Sequence, residues 1–219
     1  MTIPVRPWLP AVLATALLAG CGSSPPQTFH TLTRFASDAS PALASGERRY
    51  GVLIGPVTMP DVVNRPQLVI RSEPNQVEIR EQQRWAGPLP ADVAQALAED
   101  LMPALPQAYV YSQLRSPANA VPPRFRVALD VQRFESRLHG DGAGSVIDIA
   151  WVVTDVAADR KSVCRSLAQA PLQGRGYEAL VAAHQVALAS LGERMASVLR
   201  QLADGRTAFA VPSGTVCQR

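Results

Sequence analysis

The stretch "RFRVALDVQRF", Arg124–Phe134, decides the architecture. Phe125, Val127, Leu129 and Val131 alternate with Arg124, Arg126, Asp130 and Gln132. Side chains on a strand point to opposite faces with period two, so this pattern predicts a strand with one face on a core. The glycine-rich turn "HGDGAGS", His139–Ser145, follows. "VIDIAWVVTDV" then sets Ile147, Ile149, Trp151 and Val153 on one side. After the turn "ADRKS", the stretch "SVCRSLAQAPL" returns as a third strand. Three alternating runs joined by turn residues predict an antiparallel meander.

A long helix follows. Leu180, His184, Ala187, Leu188, Leu191, Met195, Val198 and Leu202 share one face of Tyr177–Leu202. Upstream of the meander, Tyr50–Val57 is a nearly continuous apolar strand, the pattern of a central, doubly buried one. "LVIR" (Leu68–Arg71) and "VEIREQQRW" (Val77–Trp85) pair around the turn "SEPNQ", with Val77 and Ile79 facing opposite to Glu78 and Arg80. A second helix starts near Pro90, a good first-turn residue. It carries Val93, Leu97, Leu101 and Leu105 as its core stripe, with Pro103 interrupting it and Pro106 beyond its end. "AYVYS", Ala108–Ser112, is a short strand, and "FHTLTRF", Phe29–Phe35, is a weaker one. Ser37–Glu47 reads as a loop, and Ala203–Arg219 has no pattern. Runs of strands with two separated helices predict an α+β two-layer fold: a largely antiparallel or mixed sheet with two main helices on one face.

At the N-terminus, Arg6 precedes the apolar stretch Trp8–Ala19, which is too short for the ~20 residues of a membrane span. Small residues then lead to a cysteine in "LAGC", Leu18–Cys21. This is the layout of a secretory signal. Its end resembles the bacterial lipobox, in which the cysteine thiol receives a diacylglyceryl group and the chain is cut just before it. A plain signal peptide with an incidental cysteine is the alternative. The lipobox reading divides the chain into a signal peptide (1–20), a lipidated tether (21–28), an α+β domain (29–205) and a C-terminal tail (206–219). Gly22 stands where an Asp retains enteric lipoproteins at the inner membrane, so the resemblance points to the periplasmic face of the outer membrane.

The full chain is 47% hydrophobic with a formal net charge of +3. Its basic residues are almost all arginine, Lys161 being the only lysine, and they are scattered. No basic stripe marks a nucleic-acid surface. With Cys21 lipidated, Cys164 and Cys217 remain as an even pair in an oxidising compartment. They read as a disulfide tying the tail to the sheet, or as two separate thiols. No G-x-S-x-G elbow or HExxH motif occurs, and "HGDGAGS" lacks the GK[ST] ending of a phosphate loop. The sequence therefore argues for no enzyme, no metal and no cofactor beyond the acyl and diacylglyceryl groups on Cys21. His184 on an apolar helix face reads as a packing residue.

Two stretches remain, "VTMPDVVNRPQLVIR" (Val57–Arg71) and "RWAGPLP" (Arg84–Pro90). Singly, each reads as a proline-framed loop or a core tryptophan. In order with "YVYSQ", "RVALDVQRFE", "IDIAWVVTD" and the final helix, they resemble the ABC-type transport auxiliary lipoproteins, the PqiC/YmbA-like group. The early segment departs from that pattern, with His30 where an aromatic is common. The resemblance implies a non-enzymatic outer-membrane lipoprotein that accompanies MCE-domain proteins in phospholipid transport between membranes. The leading expectation is a docking subunit held in the bilayer by its anchor, with an MCE-domain protein as partner. The alternative is a periplasmic lipid-carrying module with an apolar pocket. A homo-oligomer matching a ringed MCE assembly is a further expectation. Pro60, Asn64, Arg65, Pro66 and Trp85 are the candidate partner-binding residues. The prolines stiffen the loop, and Arg and Trp are enriched at binding hot spots.

Overall fold

The computed structural model describes residues 25–33, 48–113, 121–206 and 210–218. The signal segment, Cys21, Arg34–Phe35 and the loop Ser37–Glu47 lie outside the described residues. Nine strands and two helices run in the order β1 (Thr28–His30), β2 (Tyr50–Thr58), β3 (Gln67–Glu73), β4 (Gln76–Trp85), α1 (Leu89–Ala104), β5 (Ala108–Ser112), β6 (Pro123–Arg137), β7 (Gly144–Asp155), β8 (Arg160–Pro171), α2 (Gly176–Ala203) and β9 (Thr215–Gln218), counted among the described residues. A six-stranded sheet has the order β5-β2-β6-β7-β8-β9, and a three-stranded sheet the order β1-β4-β3. In the large sheet β2 is parallel to β5 and β6, and the rest is antiparallel. Both helices pack on one face of that sheet and on each other. The fold is the α+β class that the periodicity predicts.

The meander supplies the core. Phe125, Val127, Leu129 and Val131 of β6 and Ile147, Ile149, Trp151 and Val153 of β7 are all buried. An irregularity in β6 between Val131 and Arg133 shifts the alternation by one residue, so Phe134 and Ser136 turn inward. Trp151 donates its indole N–H to Ser166 Oγ at 3.0 Å, and Ser166 Oγ is 2.8 Å from Thr215 Oγ1. A buried indole therefore keeps a partner. The helices meet closely at Gly192 of α2, where an added Cβ would lie 3.1 Å from Asp100 Cβ of α1.

Three elements differ from the sequence expectation. The first strand is only Thr28–His30, because the chain beyond it turns to α1. Leu32 N–H donates to Asp92 Oδ2 at 2.7 Å, and Thr31 Oγ1 donates to Asp92 Oδ1 at 2.9 Å. The pair β3–β4 joins β1 in a sheet of its own rather than extending the large one. The tail, patternless in sequence, contributes β9 to the edge of the large sheet. Cys164 and Cys217 are directly opposed in β8 and β9, with Cα atoms 4.0 Å apart, and are joined in a disulfide. With a sequence separation of 53, closure constrains the unfolded chain by about 4 kcal/mol in the chain-entropy model.

Candidate docking groove

The loop between β2 and β3 is built by its prolines. The Pro60 carbonyl accepts from Val63 N–H at 3.0 Å and Asn64 N–H at 3.1 Å, and Arg65 N–H donates to the Val63 carbonyl at 2.9 Å. The Pro66 carbonyl accepts from Trp85 N–H at 2.7 Å, which fixes the loop's exit to the end of β4. The loop thus lies along the three-stranded sheet where that sheet meets the irregular part of β6. Between them is a groove of about 180 Å³, floored by Val63, Val69 and Phe134 and walled by Pro60, Val62 and Val77. Val62 is 47% exposed, and Val77 and Ile79 are exposed beside it. Single exposed apolar residues are unremarked on most surfaces, but two exposed valines lining one groove, with exposed Ile79 on the same strand as Val77, mark a candidate contact surface.

The rim is basic. Glu135 is bound by Arg71 at 3.3 Å, Arg137 at 3.1 Å and Arg133 at 3.6 Å, so three cations share one carboxylate. Arg65 stands on the same loop but does not line the groove; its Nε is buried without a hydrogen-bond partner among the described residues. The groove can therefore accept an apolar segment flanked by acidic residues.

Of the sequence candidates, Pro60 lines the groove, Asn64 and Pro66 are exposed on the loop, and Arg65 is half-buried at its base. Trp85 is a correction. It is 5% exposed and packs edge-on to Phe134 at 6.1 Å, so it supports the groove from below and offers no surface to a partner. Val62, Val77, Arg71 and Glu135 were not singled out by sequence. The exposed Val77 and Ile79 opposite Glu78 and Arg80 were the available signal, but which face of that strand is covered depends on distant β6.

Beneath Trp85, His184 is fully buried. Its Nε2 lies 2.8 Å from Ser136 Oγ and its Nδ1 2.7 Å from Ser145 Oγ, and it stacks on Phe134 at 4.2 Å. Gly144 allows β7 to begin here, because a Cβ at this position would lie 2.1 Å from the Ala170 carbonyl oxygen. Burial lowers the imidazole pKa to about 3. A base that weak, closed off from solvent, cannot activate either serine at neutral pH. The trio is a polar tie between β6, β7 and α2. Among the described residues no group of three or more His, Cys, Asp or Glu could hold a metal, and no helix is long and apolar enough to cross a membrane.

The model of the family "ABC-type transport auxiliary lipoprotein component" matches residues 30–196. No curated protein matches the chain. A crystal structure of an uncharacterized protein is similar at TM-score 0.62 and 20% identity, covering 80% of this chain and 99% of that one. Protein XCC0632 from Xanthomonas campestris, assigned to the DUF330 family, is similar at TM-score 0.59 and 15% identity, covering 82% and 100%. At such identities the two structures speak for the fold alone. The family match spans both the groove and the sheet that carries it, and the chain belongs to the ABC-type transport auxiliary lipoprotein family.

Proposed function

We propose that the protein is a non-enzymatic lipoprotein anchored through Cys21 in the periplasmic face of the outer membrane. There it docks on the MCE-domain protein of an intermembrane phospholipid transport system. The observation that carries this reading is the groove: exposed valines, a proline-stiffened wall and a basic rim, built from a loop that lies within the family match. The same corner of the molecule receives the chain from the tether, since β1 pairs with β4 at Trp85. Confinement at a bilayer raises the local concentration of an equally confined partner. A ringed partner would be matched by several copies of this chain.

The groove itself is too small to enclose a lipid. It measures about 180 Å³. Pockets that enclose a drug-sized ligand run from roughly 300 to 1,000 Å³, and a two-chain phospholipid is larger than such ligands.

Val62→Asp and Arg65→Ala test the docking surface. A truncated hot-spot residue costs about 2 kcal/mol of binding, so recovery of the MCE partner in co-purification is expected to fall at least tenfold. Val62 is exposed on the loop, and Val62→Asp should move the melting temperature by no more than about 2 °C; Arg65 is half-buried, so its loss of recovery counts only where it exceeds its loss of stability. Undiminished recovery would remove the groove from the interface. Equal losses of recovery and stability would make these residues structural.

A further inference from the structure

A second cavity, of about 300 Å³, lies at the other end of the large sheet. It is framed by the ends of β7 and β8 and the C-terminal end of α2, with Val153 and Leu202 as its apolar floor and Ser162, Arg160, Lys161 and Arg206 around it. We propose that this cavity binds a phosphate group carried on a small apolar moiety.

The first argument is charge. Asp155, the one acid lining the cavity, is already engaged: its Oδ1 accepts from the N–H groups of Ala157 and Ala158, and its Oδ2 lies 3.5 Å from Arg124 Nη2. Arg124 also donates to the carbonyls of Leu202 and Ala203, at 3.4 and 3.2 Å. It thereby offsets the negative end of α2, which would otherwise repel an anion. Arg160, Lys161 and Arg206 make no ion pair with the described residues, although Asp159 and Asp204 stand on the same turns. Three cations thus surround one cavity whose own carboxylate and helix terminus are spoken for.

The second argument is an available hydroxyl. Ser162 lines the cavity, and its hydroxyl makes no hydrogen bond to the described residues, so it is free to donate to a group bound there. A hydroxyl donor beside two guanidinium forks and an ammonium suits a tetrahedral oxyanion, since Arg binds phosphate oxygens bidentately and Lys as a point charge. The volume exceeds what a bare phosphate fills, and Val153 and Leu202 give the surplus an apolar lining.

The site is separate from the docking groove. The path along β6 from Arg124 to Phe134 spans roughly 33 Å at ~3.3 Å per residue, so a variant at one end can be read independently of the other. The test uses full-length lipoprotein in detergent. Inorganic phosphate and monomeric dihexanoyl-phosphatidylglycerol are titrated calorimetrically against the wild type, Ser162→Ala and the Arg160→Gln/Lys161→Gln double variant. Wild type is expected to bind, and the double variant at least tenfold more weakly, with a melting temperature near that of the wild type because both side chains are exposed. Tighter binding of the phospholipid by tenfold or more supports the proposal and identifies a lipid headgroup; equal binding of both probes removes the apolar moiety from it and overturns the proposal in that form. Absence of binding to either probe, or equal binding by the double variant, overturns the proposal. Co-purification of the transport partner is unaffected by either result.

Discussion

Replacing Cys21 with serine is expected to abolish attachment to the membrane and leave the signal segment uncleaved. Only a thiol forms the thioether to the diacylglyceryl group, and cleavage at a lipobox follows that modification. Each buried methylene contributes about 0.8 kcal/mol to anchoring. Even ten of them amount to roughly 8 kcal/mol, close to a millionfold in partition. The change is therefore all or none, and fractionation with a measurement of intact mass reads it. A Cys21→Ser protein of mature mass that still sediments with the outer membrane would end the lipoprotein reading of this chain.

The second large effect lies in acid. His184 has its pKa lowered to about 3 in the folded protein by burial, against about 6.5 when the chain is unfolded. A proton taken up by the unfolded chain and refused by the folded one favours unfolding. Stability is thus complete above pH ~6.5 and declines as pH falls towards 3, by about 1.4 kcal/mol per pH unit. At pH 4.5 the loss is roughly 2.7 kcal/mol, a large part of a domain's usual margin. Asp148, held below the ordinary carboxylate range by its hydrogen bond to Arg165, loses its contribution only at still lower pH. His184→Gln separates the terms, since an amide can face both serine hydroxyls and does not titrate. Denaturant midpoints followed from pH 7 to 4.5 should start lower for the glutamine variant, which lacks the ring stacked on Phe134, and then fall less steeply. Parallel slopes would show that His184 is not the group responsible.

Much of this fold is written locally. The alternations from Phe125 to Val131 and from Ile147 to Val153, and the stripes through Leu97 and Leu188, each name their buried face, and each is buried. What the sequence conceals is decided between distant segments. Four residues at Thr215–Gln218 cannot declare a strand until β8 offers an unpaired edge. β3 and β4 read correctly as a hairpin, yet nothing in them says that they leave the large sheet or that Val77 faces a groove. Trp85 shows the same limit from the other side. A tryptophan after a strand suits a hot spot as well as a core, and only Phe134 and His184, 49 and 99 positions away, place it inside. The paired roles of Arg124, at a carboxylate and a helix end at once, are likewise visible only in three dimensions.

The docking role is tested most directly in intact cells. A photo-crosslinking residue is introduced at Val62, in the wall of the groove, and the crosslinked product is identified by mass spectrometry. The expected product is a covalent adduct with an MCE-domain protein, present with the Cys21 anchor and lost in Val62-crosslinker protein that also carries Cys21→Ser. A membrane-anchored protein that yields no MCE adduct from this position, while crosslinking efficiently to another protein, would contradict it.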